Sequence, residues 1–291
     1  MKLAIIGTTG QLGHDMQRYA ARIGHEVLAI AGRADLDICS EADVNAMLDR
    51  LQPQALVNTA AFHNVDLCET QAEAAYKTNV LAVRHLAQAC EERKILFVQV
   101  GTDYVFEGAP ARKPLPEDAP VCPKSIYALT RFGGDCMTQA FAPQYGYVVR
   151  SCGLFGVAGC KLKGGLNFVD MIISMAKAKK PMRVVNDQTV APTPTDDLAR
   201  QIINILEKRM PTGIYHAVSH DECTWHQFAV EALRLAGIDH PIEPVPSSTW
   251  AAAALRPTYS VLDNARLRSM GMDIMAPWEE SLRRYVREKY G

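Results

Sequence analysis

The 291-residue chain contains no run approaching the roughly 18 to 20 consecutive apolar residues that span a bilayer; its longest runs, such as residues 3–6, are strand-length. No membrane span and no membrane partner are expected. An excess of charge of one sign is also lacking, since 31 basic and 32 acidic side chains give a formal net charge of −1. Without a global basic field, nucleic acid is not an expected partner. The eight cysteines, at 39, 68, 90, 122, 136, 152, 160 and 223, form no Cys-x-x-Cys pair and no regular framework, so reduced thiols are expected rather than a disulfide scaffold. No fixed-period repeat, heptad pattern or low-complexity tract is present. The opening MKLAIIGTTG reaches Gly-Thr-Thr-Gly before an apolar region of signal-peptide length develops, so a cytoplasmic location is expected.

With 48% hydrophobic and 22% charged residues, the chain is neither disordered nor collagen-like. A chain of this length buries roughly three quarters of its unfolded surface, enough for one large domain or two unequal lobes. The first half alternates short apolar runs with amphipathic helical patterns. Strands are expected at residues 3–6, 27–31, 55–59, 95–100 and 147–150. Helical stripes run through Leu12, Met16, Tyr19 and Ile23, through Val44, Met47, Leu48 and Leu51, and through Tyr76, Val80, Val83, Ala87 and Cys90, with another helix from about Ile126. This order predicts an α/β fold, a doubly wound parallel sheet with right-handed crossovers. The proline-rich residues 110–123 read as a surface excursion over the site. Beyond Cys152 come a glycine-rich stretch at 153–165, a helix at 168–178, a strand at 183–185 and an amphipathic helix from about Trp278. The alanine run 251–254 reads as helix. The expected division is a dinucleotide-binding domain of residues 1–152 and about 182–218, with a smaller C-terminal substrate lobe of about 153–181 and 219–291. Residues 166–175 and the last helix could face an interface, and a symmetric homodimer stays open; their apolar stripes read first as core.

Gly7-Thr8-Thr9-Gly10-Gln11-Leu12-Gly13 directly follows the first strand and opens the first helix. Glycines there allow a tight turn, let a pyrophosphate approach the backbone and permit close helix packing. Gly7, Thr9, Gly10, Gln11, Leu12 and Gly13 are therefore candidate cofactor contacts. About 20 residues later, where a carboxylate would hold an adenosine ribose diol, the chain has Arg33, whose guanidinium suits a 2′-phosphate. NADPH is expected, with Asp35 and Asp37 near enough to leave NADH open. Val100, Thr102, Asp103 and Tyr104 end the fourth strand, where open α/β sheets place ligands. Tyr127 and Arg131 stand four apart, so a helix puts phenol and guanidinium on one face, and the cation is expected to lower the tyrosine pKa. His216 and His220 have helical-face spacing, with His226 nearby, but no cysteine or carboxylate pattern completes a ligand set, and no metal is expected.

These segments resemble the extended short-chain dehydrogenase/reductases of Rossmann type and, within them, the dTDP-4-dehydrorhamnose reductase family. The resemblance runs over nearly the whole chain, through GRADLDI at 32–38, VNTAAFHNVDLCE at 57–69, TNV at 78–80, GTDYVFEG at 101–108, VVNDQTVAPTPTDDLA at 184–199, RPTYSVLD at 256–263 and PWEESLRR at 277–284. It implies NADPH-dependent reduction of the 4-keto group of a deoxysugar nucleotide, most nearly dTDP-4-dehydro-L-rhamnose to dTDP-L-rhamnose. Thr102 and Tyr127 would polarise and protonate the keto oxygen, with Arg131 as third catalytic residue. Cofactor contacts would also come from Arg33, Asp37, Ile38, Ala60, Ala61, Phe62, Asn79, Val100, Tyr127 and Arg131. Thr102, Asp103, Tyr104, Gly153 and Arg256 would line the sugar pocket. Two positions depart from the family pattern: Arg131 stands where the family has lysine, and Ser151-Cys152-Gly153 replaces Thr-Ser-Trp, removing an aromatic wall. A nucleotide-binding regulatory subunit without turnover, and a reductase or epimerase of another nucleotide sugar, stay open as alternatives.

Overall fold

The computed structural model describes residues 1–107, 112–159 and 164–291; Pro110, the start of the proline-rich stretch, and Cys160 lie outside them. The first half runs β1 (Lys2–Ile6), α1 (Gln11–Arg22), β2 (Glu26–Ile30), α2 (Glu41–Leu51), β3 (Ala55–Asn58), α3 (Val65–Thr70), α4 (Ala72–Tyr76), α5 (Ala82–Glu92), β4 (Leu96–Thr102), α6 (Ile126–Phe141) and β5 (Gly146–Ser151). The remainder comprises α7 (Phe168–Lys177), β6 (Met182–Val185), β7 (Thr189–Val190), α8 (Thr195–Glu207), β8 (Gly213–His216), β9 (Cys223–Thr224), α9 (Trp225–Leu235), β10 (Ile242–Val245), α10 (Ala265–Ser269) and α11 (Trp278–Tyr290).

Six parallel strands form the central sheet in the order β2-β1-β3-β4-β5-β8. Successive side chains of a strand point to opposite faces, and here both faces are covered. Leu3, Ile5, Val57 and Val98 meet Leu12 and Met16 of α1 and Leu198 and Ile202 of α8. Ala4, Ile6, Leu56 and Phe97 meet Val44 and Leu48 of α2 and Val83 and Leu86 of α5. That two-sided burial explains why these strands are apolar at nearly every position. The chain leaves β1 towards β2 on one side and returns to β3 on the other, opening a crevice at the C-terminal strand ends.

A further buried cluster joins Phe155, Ile172 of α7, Met182 and Val184 of β6, Phe228 of α9, and Trp278 and Leu282 of α11. The last helix is tied to α7 by polar groups as well. Asn167 caps α7 in a capping box, and its Nδ2 donates to the Tyr285 hydroxyl at 2.7 Å. Tyr285 and Tyr290 each donate a hydroxyl to Asp170 Oδ1 at 2.6 Å, and Lys289 Nζ donates to Oδ2 at 2.8 Å.

Four expectations are corrected. The helix expected through Tyr76 to Cys90 is broken into α4, a π turn at Lys77–Leu81 and α5, with Asn79 in the π turn. Residues 251–254 are not helical: four alanines are too few to nucleate a helix, and the run is anchored where Ala254 N donates to Asp66 Oδ1. His216 lies in β8 and His220 beyond it, so helical-face spacing does not apply; Nδ1 of His216 pairs with the Leu115 carbonyl and Nε2 of His220 with Asp273. The described part of the proline-rich stretch does not cover the cleft. Leu115 is buried beside Leu262, and Glu117 accepts from the backbone nitrogens of His216 and Arg266.

Candidate active site

The glycine loop is built for close approach. Gly7 has φ of +89°, and a Cβ there would lie 2.5 Å from Thr59 Oγ1; a Cβ on Gly13 would lie 2.2 Å from the Gly7 carbonyl oxygen. Gly7 N and Thr8 N donate to the Ile30 carbonyl, fixing the loop to the end of β2. Gly10 begins α1 with no side-chain cap, so the helix presents its first amides and positive dipole end to the crevice.

A cleft of about 810 Å³ opens there. It brings together Gly7, Thr9, Gly10, Gln11 and Leu12 of the loop, Ala60 and Ala61 after β3, Val100, Thr102, Asp103 and Tyr104 at the end of β4, Tyr127 and Arg131 of α6, Gly153 and Arg256. Gly13, Arg33, Asp37, Ile38, Phe62 and Asn79 do not line it. Gly13 packs behind the loop, and Ile38 is core beneath α2. Arg33 donates to Asp37 at 2.8 Å on the exposed rim. Asp35 is bound into a turn by the backbone nitrogens of Ala31 and Gly32. Asn79 is buried; its Oδ1 accepts from Phe62 N at 2.9 Å, and its Nδ2 donates to the Phe62 carbonyl and Thr130 Oγ1, each at 3.1 Å. Both ends of that amide fix the loop after β3, so Asn79 shapes the wall without facing the cleft.

Thr102 is the last residue of β4 and caps the 3₁₀ turn Asp103–Phe106 by accepting from Tyr104 N at 3.3 Å. Tyr127, in the first turn of α6, is buried against the Tyr104 ring, with centroids 5.3 Å apart at 88°. The Arg131 guanidinium lies 5.9 Å from the centroid of the Tyr127 ring and donates through Nη2 to the Val100 carbonyl. The expected lowering of the tyrosine pKa is corrected. Burial dominates and lifts it, while the charge of Arg131 and the hydroxyl of Thr102 pull the other way. Around neutral pH the phenol therefore holds its proton, and the cation favours the phenolate once that proton has gone.

Arg256 forms a two-point fork with Asp66, Nη1 to Oδ1 at 2.9 Å and Nη2 to Oδ2 at 2.6 Å. The fork joins the segment before Ser260 to α3 and, with the Ala254 amide, holds the Asp66 carboxyl down to about 2. Several cleft residues were not anticipated: Cys152, Phe168, Trp225, Trp250 and Ser260. The aromatic wall missing at Gly153 is supplied from elsewhere. Trp225, the first residue of α9, lies 3.2 Å from where a Gly153 Cβ would stand, and its ring meets Phe168 at 4.8 Å. One signal was available, because Thr224 and Gln227 form a capping box that fixes where α9 starts.

The sheet order, the glycine loop at the switch point and the tyrosine beside it define an extended short-chain dehydrogenase/reductase. The family model described as the RmlD substrate binding domain matches residues 1–290. A dTDP-4-dehydrorhamnose reductase of Streptomyces griseus is 36% identical over 283 residues, covering 96% of this chain and 90% of its own. The crystal structure of a dTDP-4-dehydrorhamnose reductase from Clostridium acetobutylicum is 36% identical with a TM-score of 0.92, covering 99% of both chains. A Bacillus anthracis dTDP-4-dehydrorhamnose reductase in complex with NADP is 29% identical with a TM-score of 0.92, covering 99% of this chain and 100% of that one. The chain belongs to the RmlD family, the family of the dTDP-4-dehydrorhamnose reductases.

Proposed function

We propose that this protein reduces the keto group of a dTDP-linked deoxysugar with NADPH, and that the sugar is dTDP-4-dehydro-L-rhamnose. The observation that carries the reading is the convergence of Thr102 and Tyr127 beside the uncapped start of α1 within one cleft. The residues present suit a dinucleotide: the glycine cradle would be filled by any Cβ, and Gln11 Oε1 is buried at the cleft with no hydrogen-bond partner among the described residues. Gly7, Thr9, Gly10, Gln11 and Leu12 would hold the pyrophosphate end, with Arg33 at the rim for a 2′-phosphate. The Bacillus anthracis relative is in complex with NADP, and NADPH held here would supply the hydride.

Tyr127 gives its phenolic proton to the keto oxygen as that oxygen gains negative charge. Thr102 donates a second hydrogen bond to it, and Arg131 stabilises the phenolate until solvent returns the proton. Trp225 and Phe168 supply apolar contact for the sugar nucleotide, in keeping with a substrate lobe of about 153–181 and 219–291. A cytoplasmic location is part of the same proposal.

The test is NADPH absorbance with purified protein and dTDP-4-dehydro-L-rhamnose. Sugar-dependent oxidation is expected, reduced about 10²-fold or more in Tyr127→Phe. A wild-type rate no higher than that variant's sinks the reading. One observation favours the regulatory alternative, namely that Arg131 is bound to the Val100 carbonyl. A large gain of turnover in Arg131→Lys would show native catalysis to be impaired, whereas an equal or lower rate would show that arginine serves the reaction.

A further inference from the structure

The ends of β4 and β5 meet in a buried cluster that the proton donor and its cation do not account for. Asp103 is 3% exposed at the cleft. Its Oδ2 accepts from Cys152 Sγ at 3.1 Å, its Oδ1 accepts from Thr102 Oγ1 at 3.2 Å, and the Ser260 hydroxyl is a third donor to the same carboxyl group. A threonine hydroxyl has a single hydrogen. The Thr102 hydroxyl reaches both the Asp103 carboxyl and the Tyr127 phenol, and while its hydrogen is given to Asp103 it can meet a carbonyl oxygen in the cleft only by turning away from the carboxylate. The carboxylate can release it where other donors remain. Cys152 and Ser260 are those donors, and burial beside Asp103 keeps the Cys152 thiol protonated and able to donate.

We propose that Cys152 is a positioning residue for carbonyl reduction: its thiol holds the Asp103 carboxylate and thereby frees the Thr102 hydroxyl for the substrate oxygen. The inference rests on the reductase reading above. It assigns Asp103 to orienting Thr102 rather than to gripping a sugar hydroxyl. It also gives the Ser-to-Cys departure at this position a function, because a thiol keeps the single donor that a serine would supply.

The experiment compares wild type, Cys152→Ala and Cys152→Ser in steady-state kinetics with NADPH and dTDP-4-dehydro-L-rhamnose, alongside NADPH binding by fluorescence and thermal unfolding. Alanine removes the donor, and serine restores one. Loss of a hydrogen bond to a charged group predicts a fall in kcat of about tenfold or more for Cys152→Ala. The sugar KM and the NADPH Kd should stay within about twofold, because the lost interaction matters only as charge develops on the oxygen. Cys152→Ser should return kcat to within about threefold of wild type, since it again offers a donor. Equal kcat in the alanine and serine variants, whether high or low, would mean that Cys152 acts by shape alone and would overturn the proposal. If wild type turns over and all three proteins match, only this inference falls. If wild type oxidises no NADPH with any 4-keto sugar nucleotide, the reductase reading falls and takes this inference with it.

Discussion

Replacing Asp135 by alanine leaves the Arg150 guanidinium in the core with no countercharge. The two side chains are 2% and 1% exposed and meet at 2.8 Å between Oδ2 and Nε. Burial is the largest influence on the Asp135 carboxyl and lifts its pKa, while the charge of Arg150 opposes it. Arg150 Nη1 and Asp135 Oδ1 have no hydrogen-bond partner among the described residues, and the remaining support is weak: the Phe106 ring 5.4 Å from the guanidinium, and the charge of Arg131 acting on Asp135. Breaking such a pair costs about 3–5 kcal/mol, mostly because an uncompensated charge stays buried. At roughly 2–4 °C per kcal/mol for a chain of this size, Tm should fall by roughly 6–20 °C. Function should suffer too, since a Cβ on Gly101 would meet Arg150 Cγ at 2.7 Å and Asp135 Oδ1 at 3.2 Å. The backbone one residue before Thr102 therefore rests on this pair. Thermal unfolding by circular dichroism at fixed protein concentration reads the first effect. Asp135→Leu combined with Arg150→Met removes both charges and should recover most of the loss. A single variant within about 2 °C of wild type, or a double variant no better than the single, would refute the reasoning.

Arg33→Ala should weaken NADPH binding by about tenfold while leaving NADH almost unchanged, read by fluorescence titration, since only the 2′-phosphate needs the guanidinium; equal losses for both cofactors would remove Arg33 from that role. Gly13→Ala should destabilise the fold by about 1–3 kcal/mol and impair dinucleotide binding, because its Cβ would overlap the Gly7 carbonyl. A denaturant midpoint equal to that of wild type would count against this packing. His216 is buried, and burial followed by the Arg150 charge pushes its pKa from 6.5 down to about 3. The unfolded chain takes up a proton that this ring refuses, so stability should fall as pH drops from 6.5 towards 3. In His216→Gln that part of the acid slope should flatten, and an unchanged slope in pH-dependent unfolding would exclude His216 as its source.

Much of the sheet was legible because its signals are local. The short apolar runs of residues 3–6 and 95–100, the glycines after β1 and the turns between strands each specify one conformation within a few positions. Tyr127 and Arg131 could be placed on one face because four residues on a helix is a fixed geometry. What escaped depends on distant parts of the chain. Trp225 faces Gly153 across 72 positions, and Cys152 meets Asp103 across 49, spacings that carry no periodic signal. The tyrosine pKa departs from the sequence expectation for a related reason: the cation four residues away is visible in sequence, whereas the burial that outweighs it is a property of the assembled core. Residues 251–254 show the converse, a good local propensity overridden by the anchoring of Ala254 and Arg256 on Asp66.

The carboxylate of Asp170, which gathers the hydroxyls of Tyr285 and Tyr290 and the ammonium of Lys289, sets an order on biosynthesis. The ribosome delivers β1 to β5 first, and their parallel pairing can proceed while later segments are still being made. The α7 wall that bears Phe168 cannot take its final place until residues more than a hundred positions later have emerged. Until then its apolar side chains are exposed, and the nascent cleft has a finished nucleotide side facing an unfinished one. Docking of α11 on Asp170 is thus the step at which a half-built pocket becomes a complete one.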